Sequence, residues 1–286
     1  MLTALAPAKI NLVLEVLGRR DDGYHEVRSL VQAVDLCDLL LFESAEGISL
    51  ECSEVSLQSV DNLVIKAAEL LKEASGCHKG VKVKLEKRIP WGVGLGGGSS
   101  DAATTLLVVN RLWELGLPTS DLAEFAARLG SDVPLFIYKG MALVEGRGEK
   151  VVPLDTLQRH YFVLLVPPFP REPGKTKRLY SLLSKRHFTE GQFVSRALKS
   201  WSQDRRIIPD ILFNVFDEIA LEAFPRLEVY WRLLEQAGAT GIHLAGSGPA
   251  LFAPAADEAD ANKICRRLHQ QGLEAYSVST LVPEVV

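Results

Sequence analysis

The sequence predicts an α+β fold made of two domains, residues 1–155 and residues 156–286. The chain has 286 residues, a length that suits two packed domains of ~100–150 residues each. Strand and helix patterns are mixed without strict alternation, which favours α+β over a doubly wound sheet. A second set of strand and helix patterns begins near residues 155–160, just before a short apolar run at 161–166 that is typical of a buried strand.

Composition and charge exclude several classes of protein. Hydrophobic residues make up 47% of the chain and charged residues 24%, which indicates a globular core. The formal net charge of −4 argues against a dedicated nucleic-acid binder, so no nucleic-acid partner is expected. No apolar run approaches the ~18 residues of a membrane span, and the N-terminus does not resemble a signal peptide. We therefore expect a cytoplasmic protein without a membrane partner.

The four cysteines have no zinc-type spacing. They are expected to be reduced thiols, as is usual in the cytosol. No protein metal site is predicted from the sequence.

The first predicted strand covers residues 9–17, where apolar and polar positions alternate. At ~3.3–3.4 Å per residue, Lys9 and Asn11 should project from the same face about 7 Å apart. Strand-like runs follow at about 27–34, 37–43 and 81–85. Between them, a helix is predicted from Asp61 as N-cap to a stop at Gly76.

A glycine-rich loop is the most informative local feature. Five glycines occur within residues 92–98, before a helix expected to be capped by Ser99 or Ser100 and to end near Leu115. Glycine lets a ligand approach the backbone, and a helix N-terminus offers unpaired N–H groups with a partial charge of about +0.5. Together they predict a phosphate-binding loop, although a ligand-free glycine turn is the alternative. The predicted contacts are Pro90, Gly92, Gly94, Leu95, Gly96, Gly97, Gly98, Ser99 and Ser100.

Known phosphate loops differ in their spacing. A Walker loop requires a lysine after the last glycine, and Gly98 is followed by Ser99. A GxGxxG pattern matches through Gly92, Gly94 and Gly97, but no strand ending in an acidic residue follows about 20 residues later. An NAD-dependent oxidoreductase remains an alternative on that literal match. A protein-kinase loop is excluded, since the chain has neither the VAIK-type lysine nor an HRD segment.

The second half contains further predicted elements and a basic segment. Residues 185–208 are polar and basic and predict a solvated face. A helix is expected to begin near Pro225 and end at Gly238. Strands are predicted on both sides of residues 246–248, then a helix at about 257–271 and a strand at about 274–281.

Three motifs together resemble one known family. The stretch Pro90…Gly94-Leu95-Gly96-Gly97-Gly98-Ser99-Ser100 resembles the ATP loop of the GHMP kinases, which include galactokinase, homoserine kinase and mevalonate kinase. The segments Ala6-Pro7-Ala8-Lys9-Ile10-Asn11-Leu12 and Leu244–Phe252 follow the family's order. The resemblance implies a ribosomal-protein-like N-terminal domain and a ferredoxin-like C-terminal domain. It also implies a small-molecule kinase with ATP as co-substrate, Mg²⁺ and an alcohol acceptor.

The resemblance assigns catalytic roles to Lys9 and Asp132. Phosphoryl transfer requires in-line placement, charge neutralisation and a group to handle the hydroxyl proton. From the residues alone, Lys9 is equally an exposed strand lysine and Asp132 a helix-capping carboxylate. Asn11 is expected to contact either the substrate or Asp132.

The segment Leu17–Glu26 is similar to that of family members whose substrate carries cytidine diphosphate. The resemblance implies that Tyr24 and His25 form one wall of a pyrimidine pocket and Tyr180 the opposite wall. It further implies that Thr176 reaches the phosphates or the acceptor hydroxyl, and that the acceptor side is shaped by Gly246, Ser247 and Gly248.

For adenine, the matching positions are Asn62 and Lys87, with a helix cap and a solvated lysine as the alternatives. Mg²⁺ is expected on the ATP phosphates, with Ser99 or Ser100 as a ligand. Besides the oxidoreductase, two alternatives remain, a GHMP kinase with another acceptor and an RNA-binding protein that uses the basic segment. A monomer or weak homodimer is expected.

Overall fold

The computed structural model describes residues 1–155, 158–172, 174–204 and 209–282. Its strands form a seven-stranded and a four-stranded sheet. In chain order the strands are β1 (Leu2–Arg19), β2 (His25–Ala45), β3 (Ile48–Cys52), β4 (Gly80–Glu86), β5 (Met141–Gly146), β6 (Lys150–Leu154), β7 (Tyr161–Val166), β8 (Phe213–Asn214), β9 (His243–Leu244), β10 (Leu251–Ala255) and β11 (Glu274–Ser279). The helices are α1 (Leu63–Ser75), α2 (Gly97–Leu112), α3 (Thr119–Leu129), α4 (Val133–Tyr138), α5 (Lys175–Leu182), α6 (Gln192–Asp204), α7 (Ala220–Ala223), α8 (Leu227–Gln236) and α9 (Glu258–His269).

The larger sheet is organised around two long antiparallel strands. β2 pairs with β1 along one edge, and its other edge pairs with β4 and β5. The two predicted runs at 27–34 and 37–43 are therefore one strand, in which the register shifts opposite Pro7/Ala8. β8, from the second half of the chain, adds to this sheet parallel to β1.

Two helix starts differ from the sequence prediction. α1 is capped by Asn62 rather than Asp61, and the Asn62 side chain accepts a hydrogen bond from the backbone N–H of Val64. α2 begins at Gly97 after a left-handed Gly96, with no side-chain cap. The positive φ of Gly96 starts the helix without a capping hydroxyl, so Ser99 lies within the first turn.

The smaller sheet has the order β11-β7-β10-β9 with antiparallel pairs throughout, and α9 packs against three of its strands. This arrangement confirms the ferredoxin-like expectation for the second half. The strand predicted over 161–166 coincides with β7.

A shared core joins the two sheets. Ile10 and Leu12 of β1 pack in one buried cluster with Phe162 and Leu164 of β7 and with Phe252 of β10. Strand β1 is therefore held against the β9–β10 hairpin. This packing brings the N-terminal motif and the 246–248 loop into contact.

The basic segment is only partly a solvated face. Arg196 and Lys199 of α6 are exposed, but Val194 on the same helix is buried. The carboxylate of Glu15 on β1 accepts the backbone N–H of Val194, so one side of α6 packs on the first sheet. Arg205 and Arg206 of this segment lie outside the described residues. Over the described ranges, no helix combines the length and hydropathy that crossing a membrane requires.

Candidate active site

A cleft of about 490 Å³ lies between the two halves of the chain. It is lined by residues of the glycine loop, of β1, of the starts of α4 and α5, and of the loop between β9 and β10. Among the predicted site residues, those that line it are Lys9, Asn11, Gly92, Gly94, Gly96, Gly97, Gly98, Ser99, Asp132, Thr176, Tyr180, Gly246 and Ser247. Residues separated by up to about 240 positions in the sequence, such as Lys9 and Ser247, thus meet around one space.

The floor of the cleft is made by two loops that interlock. A Cβ on Gly94 would lie 1.9 Å from the carbonyl oxygen of Ala245, so only glycine permits this approach. On the other loop, a Cβ on Gly246 would lie 2.8 Å from Lys9 Nζ. The backbone N–H of Lys9 also donates to the carbonyl of Leu95 at 3.0 Å. Lys9 is therefore surrounded by both loops.

The side chain of Lys9 is buried and tightly held. Its Nζ donates to Asn11 Oδ1 at 2.5 Å and lies 3.9 Å from Asp132 Oδ2. Burial lowers the pKa of Lys9, and the charge of Asp132 partly offsets that effect. The exposed strand lysine considered from the sequence is thus excluded.

Asn11 acts as a support for Lys9. The contact between the two confirms that they share a face of β1, as the strand period predicted. The amide Nδ2 of Asn11 donates to Ser29 Oγ at 2.8 Å, and that hydroxyl donates to the carbonyl of Val13. The hydrogen bonds of Asn11 therefore go to Lys9 and Ser29 rather than to Asp132, which corrects that part of the prediction.

Asp132 occupies the N-cap position of α4 but does not cap it with its side chain. Its side chain is 52% exposed and faces the cleft opposite Lys9. The capping alternative is therefore not realised, and the carboxylate is available to a ligand.

The predicted phosphate contacts divide into two groups. The backbone from Gly96 to Ser99 lines the cleft at the start of α2. Ser100 is fully buried, and its hydroxyl has no hydrogen-bond partner among the described residues. Ser100 is turned toward the core, so Ser99 is the one of these two serines that lines the cleft.

A smaller pocket of about 310 Å³ adjoins the glycine loop. Pro90, Leu95, Asn62 and Lys87 contribute to its lining, together with Trp91. The structure therefore brings the two residues matched to adenine binding to one place beside the predicted phosphate site.

Lys87 is a buried ion-pair lysine and not the solvated strand lysine considered from the sequence. Its Nζ contacts the carboxylates of Asp38 and Asp101, the latter at 2.8 Å. Burial alone would lower the pKa of Lys87, but these two carboxylates raise it. Burial raises the pKa of Asp101 to about 7 against the opposing influence of Lys87. Lys87, Asp38 and Asp101 together hold the end of β4, which precedes the glycine loop, against the first turn of α2.

The aromatic residues are arranged differently from the predicted two-walled pocket. The rings of His25 and Tyr180 stack directly, with centroids 5.0 Å apart. Two rings that enclose a base lie about 7 Å apart, twice the ~3.5 Å van der Waals separation of carbon atoms. His25 and Tyr180 thus form one wall, of which only Tyr180 is among the residues that line the cleft. Tyr24 lies outside the cleft lining, with the guanidinium of Arg147 4.9 Å above its ring.

Sequence reasoning missed two cations of the cleft, Arg147 and Lys175. Lys175 is buried at the start of α5 and donates to the carbonyls of Ser247 and Gly248. Beside it, the hydroxyls of Thr176 and Ser247 lie 3.0 Å apart. Gly248 thus accepts a hydrogen bond from Lys175 through its carbonyl, but Gly248 itself does not line the cleft. The sequence offered one indication of Lys175, namely that it stands between Gly174 and the predicted site residue Thr176.

All four cysteines are free thiols, as expected from the sequence. Within the described ranges, no group of three or more His, Cys, Asp or Glu side chains is arranged to hold a metal ion. A dication here would depend mainly on ligands from elsewhere, and Mg²⁺ in phosphate sites is typically held by phosphate oxygens and waters with one or two protein groups.

Two family models match the chain. The model for the GHMP kinases N terminal domain matches residues 62–140, and the model for the GHMP kinases C terminal matches residues 196–274. The first range contains the glycine loop and Asp132. The second contains the loop that interlocks with it.

Similar proteins cover nearly the whole chain. A protein of Dehalococcoides mccartyi named 4-diphosphocytidyl-2-C-methyl-D-erythritol kinase is 48% identical over 284 residues, covering 99% of each chain. A protein of Symbiobacterium thermophilum with the same name is 38% identical and covers 96% of this chain and 98% of its own. A crystal structure of 4-(cytidine 5'-diphospho)-2C-methyl-D-erythritol kinase matches with a TM-score of 0.84 and 32% identity, covering 98% of this chain and 99% of its own. Homoserine kinase from Cytophaga hutchinsonii shares the fold, with a TM-score of 0.74, 20% identity and coverage of 98% and 94%.

Proposed function

This chain belongs to the GHMP kinase family, and we propose that it phosphorylates the 2-hydroxyl of 4-diphosphocytidyl-2-C-methyl-D-erythritol with ATP. The reaction is a step of non-mevalonate isoprenoid precursor biosynthesis. Relatives with this named activity match the chain from end to end at up to 48% identity. The observation that carries the mechanism is the pair of Lys9 and Asp132, 3.9 Å apart beside the glycine loop.

The transfer exchanges one P–O bond for another. The acceptor hydroxyl oxygen attacks the γ-phosphorus of ATP in line, the bond to the β–γ bridging oxygen breaks, and ADP leaves. The hydroxyl proton passes to the carboxylate of Asp132, whose half-exposed side chain faces the cleft. A correctly placed base contributes about 10²–10⁴-fold to the rate.

Lys9 supplies positive charge where negative charge develops. Its amine is held by Asn11 and enclosed by the two loops, so little reorganisation accompanies the reaction. The backbone N–H groups at the start of α2 bind the ATP phosphates, since a helix N-terminus stabilises an anion. ATP and the acceptor therefore meet at Lys9.

Mg²⁺ fits this site as an ion carried by the nucleotide. Ser99 is the residue that would hold it, because its hydroxyl faces the cleft beside the phosphate loop. Bound there, the ion would neutralise charge on the phosphate oxygens. Ser100 is buried and does not take part.

The two nucleoside parts occupy different places. The adenine lies in the smaller pocket beside Asn62 and Lys87, next to the phosphate loop. The cytosine packs on the wall formed by His25 and Tyr180, since stacking on an aromatic ring contributes ~1–3 kcal/mol per base. Thr176, Gly246, Ser247 and Gly248 border the phosphates and the acceptor alcohol.

The test is an ADP-release assay with 4-diphosphocytidyl-2-C-methyl-D-erythritol as acceptor. Lys9→Met should lower kcat about 10²–10³-fold, the usual loss for one electrostatic contact to the transition state. The matched control is Lys82→Met, which changes a lysine on β4 that lies outside the cleft. Asp132→Asn should lower kcat by about 10²–10⁴-fold, with Glu124→Gln on α3 as its control. No turnover by the wild type, or full turnover by both cleft variants, would contradict the proposal.

Competition by CMP and CDP separates this acceptor from another GHMP-type alcohol. Only an enzyme with a cytidine pocket loses activity when these nucleotides are added. The NAD-dependent oxidoreductase considered from the glycine spacing is wrong, because both family models are those of GHMP kinases.

We place the enzyme in the cytoplasm, where its four free thiols stay reduced. We also propose that the domains divide near residue 155 and that the chain is a monomer or weak homodimer, which sedimentation would test.

A further inference from the structure

Lys175 is a second buried lysine of the cleft, and the mechanism above does not use it. It is the first residue of α5, directly after Gly174 in a left-handed conformation. Its Nζ reaches across the cleft wall to the carbonyl of Ser247 at 3.3 Å and to that of Gly248. Lys175 therefore connects α5 to the 246–248 loop, which encloses Lys9.

The charges around Lys175 are mainly of its own sign. The groups that act on it are the cations Lys9 on β1, Arg171 before α5 and Arg178 on α5. Within the described part of the chain, no carboxylate lies within ion-pair distance of its amine, and the 246–248 loop carries no titratable side chain. The nearby carboxylates face other cations, since Asp132 lies 3.9 Å from Lys9 and Glu172 lies 3.2 Å from Arg178.

This environment disfavours the charged amine. Burial, followed by the three neighbouring cations, lowers the pKa of Lys175 to about 7. A buried ammonium without a counter-charge is unfavourable, and a bound anion removes that penalty. The free protein therefore holds an amine that would take up a proton from the solvent when an anion binds beside it.

The hydrogen-bonding capacity of Lys175 leaves room for a ligand. An ammonium group carries three donors, and two of them are taken by the carbonyls of Ser247 and Gly248. The side chain lines the same cleft as Lys9 and the glycine loop. One donor thus remains for an acceptor in the cleft.

We propose that Lys175 is a phosphate-binding residue whose ammonium group bridges the 246–248 loop and a substrate phosphate. The proposal rests on the proposed function in one respect, namely that nucleotide phosphates enter this cleft. The phosphate belongs either to ATP or to the cytidine diphosphate of the acceptor, and the two nucleotides are tested separately.

The proposal predicts uptake of a proton on binding. At pH 8, one unit above a pKa of about 7, roughly nine-tenths of the amine is neutral in the free protein. Binding of a phosphate favours the charged form of this amine. Lys175 should therefore take up close to one proton from the solvent for each nucleotide bound. As pH rises above 7, the affinity for that nucleotide should fall by up to tenfold per unit.

The experiment is isothermal titration calorimetry of the full chain at pH 8 with ADP and, separately, with CDP. Repeating each titration in buffers of different ionisation enthalpy measures the protons taken up. For the nucleotide that meets Lys175, Lys175→Met should abolish the uptake at pH 8. At pH 6, where the amine is already charged in the free protein, the same variant should weaken binding about 10- to 150-fold, the loss of one charge-assisted hydrogen bond. Lys177→Met is the matched control, because Lys177 lies on the same helix but is exposed and outside the cleft.

Lys175→Arg keeps the proposal falsifiable if the methionine variant does not fold. Arginine remains charged at every pH used, so this variant should bind without proton uptake. Persistence of the uptake in either variant, unchanged affinity of Lys175→Met for both nucleotides at pH 6, or failure of the wild type to bind either nucleotide would overturn the proposal. These titrations involve no turnover. A wild type that binds with uptake yet does not phosphorylate the named acceptor would refute the proposed function alone.

Discussion

Gly98 is the position where a role in folding and a role in binding predict opposite outcomes. Gly94 in the same loop is required by packing, because its Cβ would overlap the carbonyl of Ala245. Gly98 is exposed in the first turn of α2, and a Cβ there would meet nothing within 4 Å. Nothing in the folded chain therefore requires glycine at this position, whereas a phosphate against the backbone would.

Gly98→Ala should stabilise the folded protein. Alanine in place of a helical glycine adds about 0.5–1 kcal/mol, because the unfolded chain loses conformational freedom. For a chain of this size, 1 kcal/mol corresponds to roughly 2–4 °C. The thermal midpoint should thus rise by about 1–4 °C.

The same methyl group should weaken ATP binding. It would stand between the helix N-terminus and a phosphate oxygen, and loss of one hydrogen bond to a charged group costs about 1.5–3 kcal/mol. That range corresponds to a rise of about 10- to 150-fold in the KM for ATP. The KM for the acceptor should change little, because the acceptor's aromatic wall at His25 and Tyr180 is untouched.

The measurements are calorimetric unfolding and steady-state kinetics with each substrate varied in turn. Gly18→Ala is the control, because Gly18 also has open space around its Cβ and lies outside the cleft. A raised midpoint with a KM for ATP within twofold of the wild type would refute the phosphate role. A lowered midpoint would refute the packing analysis instead.

Three further predictions concern the surroundings of the two lysines. Gly246→Ala should lower kcat by about 10²-fold in a folded protein, since its Cβ would lie 2.8 Å from Lys9 Nζ and displace that amine; kinetics with a thermal midpoint would check it, and unchanged kcat would count against the enclosure of Lys9. Asp38→Ala should lower the free energy of unfolding by about 2–6 kcal/mol in urea titrations, because the backbone N–H groups of Arg88 and Ile89 would each lose their acceptor while Lys87 keeps Asp101; a loss below 1 kcal/mol would contradict this. Burial raises the pKa of Asp101 from 3.8 to about 7, so the folded state binds a proton that the unfolded state releases across that window. The unfolding free energy of the wild type should therefore fall relative to Asp101→Asn as pH rises from 4 to 7, and parallel slopes for both proteins in that window would refute the assignment.

The strongly periodic parts of the sequence predicted the fold well. The alternation in residues 9–17, the continuous apolar run at 161–166 and the glycine at 76 correspond to two observed strands and to a helix end. The start of α2 was placed too late, because serine is a common cap and the sequence does not show that Gly96 would enter the helix in a left-handed conformation. The pairing of β8 with β1 joins residues about 200 positions apart, which local patterns do not encode.

The sequence likewise predicted one part of the candidate site and missed another. The family resemblance assigned catalytic roles to both Lys9 and Asp132, and the structure brings their side chains to 3.9 Å from each other. The motifs carried no information on burial, so a solvated lysine was the alternative to adenine binding for Lys87, whereas Asp38 and Asp101 enclose it. Stacking of His25 on Tyr180 depends on how a β2 residue and an α5 residue face each other after folding. Lys175 was missed for the same reason, because its partners lie about 70 positions later in the chain.

The proposed catalytic pair is held asymmetrically, and the asymmetry fits the two proposed roles. Lys9 is buried, bonded to Asn11 and enclosed by glycine loops from both halves, so its charge has a fixed position before any ligand binds. Asp132 is half exposed, and its side chain does not cap α4. A group that stabilises developing charge gains from a fixed position, since no reorganisation accompanies the reaction. A group that accepts a proton must instead adjust to the bound hydroxyl, because catalytic hydrogen bonds often tighten only in the substrate complex. The buried cation therefore fits the phosphate side of the reaction and the half-exposed carboxylate fits the acceptor side.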